Sequence, residues 1–101
     1  MGLAFQPNYT KGVIVAPNGT SQSVTLGFTS ESVVFTNLGA TIVYVATGNA
    51  AIGNTVEAST SCYPVVVGSQ VSIGKDQDDD TVAFISPGGT GSLHIIQGIG
   101  I

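Results

Sequence analysis

At 101 residues the chain has room for one domain that can bury most of its apolar surface without disulfide or metal staples. Its apolar fraction of 43% is ordinary, but only 8% of residues are charged, where about 25% is usual. That excludes the apolar-poor, charge-rich composition of a disordered chain. The net charge is -4 and only Lys11 and Lys75 are basic, so clustered cations for nucleic-acid phosphate or an anionic bilayer are lacking.

The predicted elements are short β-branched runs between turn signals, with no stretch of helical period. Residues 1–10 contain Pro7 and no alternation, and read as an extended N-terminal arm that orders against a neighbour. Residues 11–101 read as a single β-sandwich domain. Val13, Ile14 and Val15 form a continuous apolar run that meets the turn Pro17-Asn18-Gly19. From Ser23 onward Val24, Leu26 and Phe28 alternate with Ser23, Thr25 and Gly27, the period-two signature of a strand. Val33 and Phe35 share one face of the next strand, and Asn37-Leu38-Gly39 reads as a tight connection to a return strand. In that strand Ile42 and Tyr44 oppose Val43 and Val45. Both of its faces are apolar, as in a strand covered on each side or exposing one face to a partner.

The second half continues in the same way. After a Gly/Asn/Ala loop and an irregular stretch to Ser61, the run from Cys62 carries Pro64. A missing backbone donor there predicts an edge strand or a strand start. Gly68-Ser69 is a turn, Val71 and Ile73 share a face, and a polar loop leads to a strand from Thr81. Pro87-Gly88 fits a type II turn, and a last strand runs from Ser92 to the Gly98-Ile99-Gly100-Ile101 tail. The expectation is all-β: about eight short antiparallel strands in a jelly-roll-like β-sandwich. The absence of Trp and of a Cys pair argues against an immunoglobulin-type sandwich.

Few residues offer chemistry. Cys62, the single cysteine, rules out an intrachain disulfide or a thiolate cluster and reads as a small buried hydrophobe. Asp76, Asp78 and Asp80 copy the first positions of a calcium loop and are the candidate metal ligands. Thr81 and Pro87 then stand where the required Gly and closing Glu belong, so a solvated acidic loop tip is the plainer reading. His94 lies on one face of the last strand with Ser92 and Ile96, without a nucleophile elbow in the sequence to make a triad. Glu31 and Glu57 sit beside turn-like sequence, and nothing pairs them as the two carboxylates of a glycosidase. There is no phosphate loop, no leader with a charged-then-apolar pattern, and no apolar run near the roughly 18 residues of a membrane helix. The chain therefore reads as a non-enzymatic binding or structural domain with no cofactor.

Three segments in order carry a resemblance. They are the strand–turn–strand from Val33 through Asn37-Leu38-Gly39 to Val45, the run Tyr63-Pro64-Val65-Val66-Val67-Gly68-Ser69-Gln70-Val71, and the final strand Gly91-Ser92-Leu93-His94-Ile95-Ile96-Gln97 with its Gly98-Ile99-Gly100-Ile101 tail. Together they resemble the small decoration or cement (head-stabilising) proteins of tailed-bacteriophage capsids, over about the last two-thirds of the chain. The chain departs from that pattern at Ile99, where an acidic or polar residue is expected, and at Gln97, where Pro is usual. The resemblance implies a virion protein on the outer capsid surface that bridges major capsid protein subunits as a homo-oligomer, a dimer or trimer. It implies no nucleic-acid or membrane partner. The expected contacts are Phe5 and Tyr9 in the arm, Val43 and Val45 on the two-faced strand, and Ile99 and Ile101 in the tail. The alternative is a head-fibre base or a tail-associated adhesion module that binds glycan.

Overall fold

The alternating sequence folds as two packed antiparallel sheets. The computed structural model describes residues 6–7, 12–26, 32–49, 56–74 and 80–99. Nine strands form: β1 (Gln6–Pro7), β2 (Val13–Val15), β3 (Gln22–Thr25), β4 (Ser32–Asn37), β5 (Val43–Gly48), β6 (Tyr63–Val65), β7 (Gln70–Gly74), β8 (Thr81–Ile85) and β9 (Leu93–Ile99).

The first sheet, A, has β9 and β4 at its centre, β7 on one edge, and β1 and β2 end to end along the other edge of β9. The second, B, runs β3-β8-β5-β6. From β2 onward every connection except β5 to β6 passes from one sheet to the other. Apart from the two-residue β1, this interleaving gives the eight-strand, double Greek-key order of a jelly roll.

Register shows which side chains share a face, because directly opposite residues in antiparallel strands point the same way. In sheet A, Val13, Ile95, Phe35 and Val71 form one inward row, and Val15 stands opposite Leu93 in the next. In sheet B, Val45 stands opposite Phe84 and Val43 opposite Val65. These rows meet as the core: Leu26, Val33, Phe35, Val43, Val45, Val65, Val82, Phe84, Leu93 and Ile95, with Val15, Val24, Val71 and Ile73 packed against it. Fully burying each such side chain contributes about 1.5–3 kcal/mol.

Several sequence expectations change. Asn37-Leu38-Gly39 does not close a hairpin: β4 pairs with β7 and β9, and β5 with β6 and β8, so this segment is a corner between the sheets. A run with two apolar faces satisfies hairpin and corner alike, and only the pairing distinguishes them. Within the arm, residues 6–7 pair with the chain's own β9 rather than waiting for a neighbour, since the edge of β9 offers unpaired backbone groups. At Pro87-Gly88 the left-handed residue is Gly89, with φ +136°, and not Gly88. A type II turn needs positive φ at the second central residue, so the Ser86–Gly89 turn, closed by Gly89 N–H to Ser86 O at 3.2 Å, is of another type. The Val66–Ser69 turn does meet that requirement, with Gly68 at φ +75° and Ser69 N–H donating to Val66 O at 3.0 Å. Pro64 stands on an edge strand of sheet B, as its missing backbone donor favours.

The outer faces of the two sheets differ. Tyr44, Ala46 and Gly48 point outward from β5, alternating with the buried Val43 and Val45. A Cβ on Gly48 would lie 2.8 Å from Val56 Cγ2, and Ala58 N–H donates to Ser21 Oγ at 2.9 Å. Residues 56–58 thus form a strap against the outside of sheet B at Gly48 and Ser21. Ala83, opposite Ala46 and Ser23, is fully buried although it points away from the core. The missing side chain at Gly48 leaves room for Val56. On the outside of sheet A, Ile14, His94, Thr36 and Gln70 form a row of larger side chains.

Candidate contact surface

One end of the sandwich is built from four loops, residues 16–21, 38–42, 66–69 and 86–92. Asn37, the last residue of β4, is 3% exposed and joins two of them. Its Nδ2 donates to Thr41 O and to Val65 O, both at 2.9 Å, while its Oδ1 accepts from Gly39 N–H at 3.0 Å. The backbone continues the seam: Asn37 N–H donates to Ser69 O at 3.0 Å and Leu38 N–H to Ser92 O at 2.9 Å. The corner passes so close to the 86–92 loop that a Cβ on Gly39 would stand 2.6 Å from Ser92 N. No side chain fits there without moving backbone.

Ser86, fully buried, performs the same task across the end. Its N–H donates to Asn18 O at 2.8 Å and its hydroxyl to Ile42 O at 2.8 Å. Having given its only proton, it accepts from the Thr41 hydroxyl at 2.7 Å. Gly91 N–H donates to Pro17 O at 2.7 Å. Among the described residues no buried side-chain nitrogen or oxygen lacks a hydrogen-bond partner, as expected where unmade bonds would each cost about 1–3 kcal/mol. The loops are therefore fixed to one another rather than independent.

On this rigid base stand three large exposed apolar side chains: Leu38 at 56%, Val66 at 52% and Val67 at 52%. None of the residues in the four loops is charged; all eight charged residues lie elsewhere in the sequence, at Lys11, Glu31, Glu57, Lys75, Asp76, Asp78, Asp79 and Asp80. The result is a charge-free tip of apolar side chains surrounded by hydroxyl and amide groups. Sheet alternation explains part of it. With Val65 committed to the core, Val66 must face away, so the run Val65-Val66-Val67 cannot all be buried. That signal was present in the sequence; Leu38 was not legible, because a hairpin reading does not place it beside the Val66–Ser69 turn.

The expected contact residues are divided. Val43 and Val45, at 0% and 2% exposure, belong to the core and offer nothing to a partner. The outward face of their strand is that of Tyr44, half-buried opposite Pro64 and Ile85. Ile99 pairs with Gln6 through β9; Phe5, Tyr9 and Ile101 lie outside the described residues, as do Asp76 and Asp78 of the acidic loop. Asp80 is half-buried at the start of β8, where its Oδ1 accepts from the Thr81 hydroxyl at 3.0 Å and its carbonyl from Leu26 N–H at 2.7 Å. No group of three His, Cys, Asp or Glu side chains capable of holding a metal occurs among the described residues. His94 is half-buried on the outside of sheet A between Ile14 and Thr36. Cys62 is partly exposed rather than buried: it ends the Ser59–Cys62 turn, and its Sγ accepts from Ser59 N–H at 3.3 Å. Glu57 is exposed on the strap, and Glu31 lies outside the described residues.

No protein-family profile and no curated protein matches the chain. Three solved structures do. PirA superposes with a TM-score of 0.59 over 86% of this chain and 93% of its own, at 12% identity. A mutant of CBM29-2, a family 29 carbohydrate-binding module, aligns at TM-score 0.48 and 17% identity over 96% of this chain and 75% of its own. A Bacillus endospore appendage protein of disulfide-linked pili aligns at TM-score 0.45 and 16% identity over 98% and 91%. The first likeness is one of fold.

Proposed function

We propose that this chain is a non-enzymatic structural protein of a bacteriophage virion, decorating and cementing the outer capsid surface by docking its charge-free tip on major capsid protein. The observation that carries this reading is the tip itself, Leu38, Val66 and Val67 held on four mutually bonded loops without a charged residue among them. A rigid apolar tip loses little conformational entropy on docking and desolvates no ion, the two costs that erode affinity at protein interfaces. The resemblance of the β4–β5, β6–β7 and β9 segments to capsid decoration proteins supports the choice of partner.

The mechanism is physical. A domain seated across the joint between capsid subunits adds binding free energy that must be overcome before they part. Repetition over the shell multiplies a modest contact through effective concentration. Shells assembled from the capsid protein without this chain should bind it in co-sedimentation, and a Val66→Asp, Val67→Asp double variant should lose binding while melting normally. A wild-type protein that stays in the supernatant while giving reproducible signals on a glycan array would replace this reading with the adhesion one.

A further inference from the structure

The four sheet edges are unequally protected. An edge strand presents unpaired backbone N–H and C=O groups, and proteins blunt such edges with Pro, charge or polar side chains. In sheet B, β6 carries Pro64, and β3 exposes Gln22, Ser23 and Thr25. In sheet A, β7 exposes Gln70 and Ser72. The remaining edge carries β1, with Gln6 and Pro7, and then β2; over the β2 stretch residues 12–16 read Gly-Val-Ile-Val-Ala, without a polar side chain or a proline. Among the described strands β2 pairs only with β9. Ile14 is the most exposed large apolar residue of the described chain at 67%, and Val13 is 36% exposed.

We propose that β2 is a self-association seam, pairing antiparallel with β2 of a second copy about a two-fold axis through Ile14. The sequence is its own complement for this geometry. Centred on Ile14, antiparallel pairing sets Val13 against Val15 of the second copy and Ile14 against its counterpart. Val13 and Val15 share the inward rows of Phe35 and Leu93, so the pairing continues both cores across the seam. Ile14 lies on the outward row with His94 and Thr36, and the two Ile14 side chains cover each other there. Charge permits this approach: two chains of net charge -4 repel, yet the described residues in these rows include no Asp, Glu, Lys or Arg. An isologous contact of this kind closes as a dimer. Three residue pairs bury well under the roughly 800 Å² per partner of a stable complex, so the free dimer is weak and depends on concentration. It stands apart from the tip reading, since it concerns only copies of this chain.

Sedimentation velocity over a concentration series tests it, with the weight-average mass expected to rise toward twice that of the monomer. Ile14→Lys should return the protein to monomer at all concentrations with an unchanged melting curve. A second measurement locates the seam: in a Cys62→Ser background, Ile14→Cys should give a covalent dimer with diamide. Opposite residues of an antiparallel pair place Cα atoms about 4.5–5.5 Å apart, within disulfide reach. Leu38→Cys in the same background should cross-link far less. A wild-type protein that is monomeric throughout, an Ile14→Lys variant that dimerises as before, or cross-linking at Leu38 equal to that at Ile14 would each overturn the seam.

Discussion

The outsides of the two sheets obey one alternation and meet different neighbours. Sheet A turns Ile14, His94, Thr36 and Gln70 outward, with the Gln70 amide donating to the Thr36 hydroxyl at 2.9 Å in an exposed position. Sheet B turns Gly48, Ala46 and Ala83 outward and is crossed by its own strap, with Val56 against Gly48 and Ala58 tied to Ser21. The lesson is that an outward position in this fold is not automatically a surface position. Burial of outward positions occurs on both sheets: Ala83 on sheet B, and Val34 at 8% with Ser32 at 3% on sheet A, all face away from the core yet are buried.

Substitutions can break or sharpen that contrast. The largest effect is expected inside, where the two sheets share a core: Phe35→Ala removes a fully buried ring and should cost about 3–5 kcal/mol. Its melting temperature should fall by several degrees per kcal/mol, while Ile14→Ala, on the outside of the same sheet, should change it little. Next comes a matched pair across the two outer faces. Ala83→Leu forces three carbons into a fully buried outward position and should destabilise by about 1–3 kcal/mol, whereas Thr36→Leu should stay within about 0.5 kcal/mol. Equal losses in urea titrations would mean that Ala83 is no more covered than Thr36. The smallest effect is a coupling. Gly48→Ala presses on Val56, and adding Val56→Ala should recover part of the loss, giving a non-additive cycle of at least about 0.5 kcal/mol. Strict additivity would separate the two residues.

Much of the strand content was legible because burial on one face writes period two directly into the sequence. Val24 on β3 with Leu26 just past its end, Val33 and Phe35 on β4, and Val71 and Ile73 on β7 all point inward as their alternation requires. Pro64 marked its own edge for a stated reason, the missing donor. The candidate surface was less legible. Val43 and Val45 looked available because both faces of their strand are apolar, and sequence does not say which face the second sheet takes. The tip escaped notice because Leu38, Val66 and Val67 come from segments 28 residues apart, brought together by the Asn37 bond to Val65. An Asn at a strand end reads as a turn former whether it caps a hairpin or, as here, fastens two loops.

The sequence by itself determined the all-β class, the scarcity of charge, the inward side of most strands and the lack of any charged residue in the segments that became the four loops. Those follow from local alternation and composition, which need no partner strand to be read. The tertiary structure decided the rest: that most successive strands alternate between sheets, that Asn37 and Ser86 bind the loops of one end into a unit, that Val56 packs at Gly48 on the outside of sheet B, and that among the described strands β2 pairs only with β9. Each depends on which distant segment lies alongside, a choice made by the joint packing of two sheets that no single strand encodes.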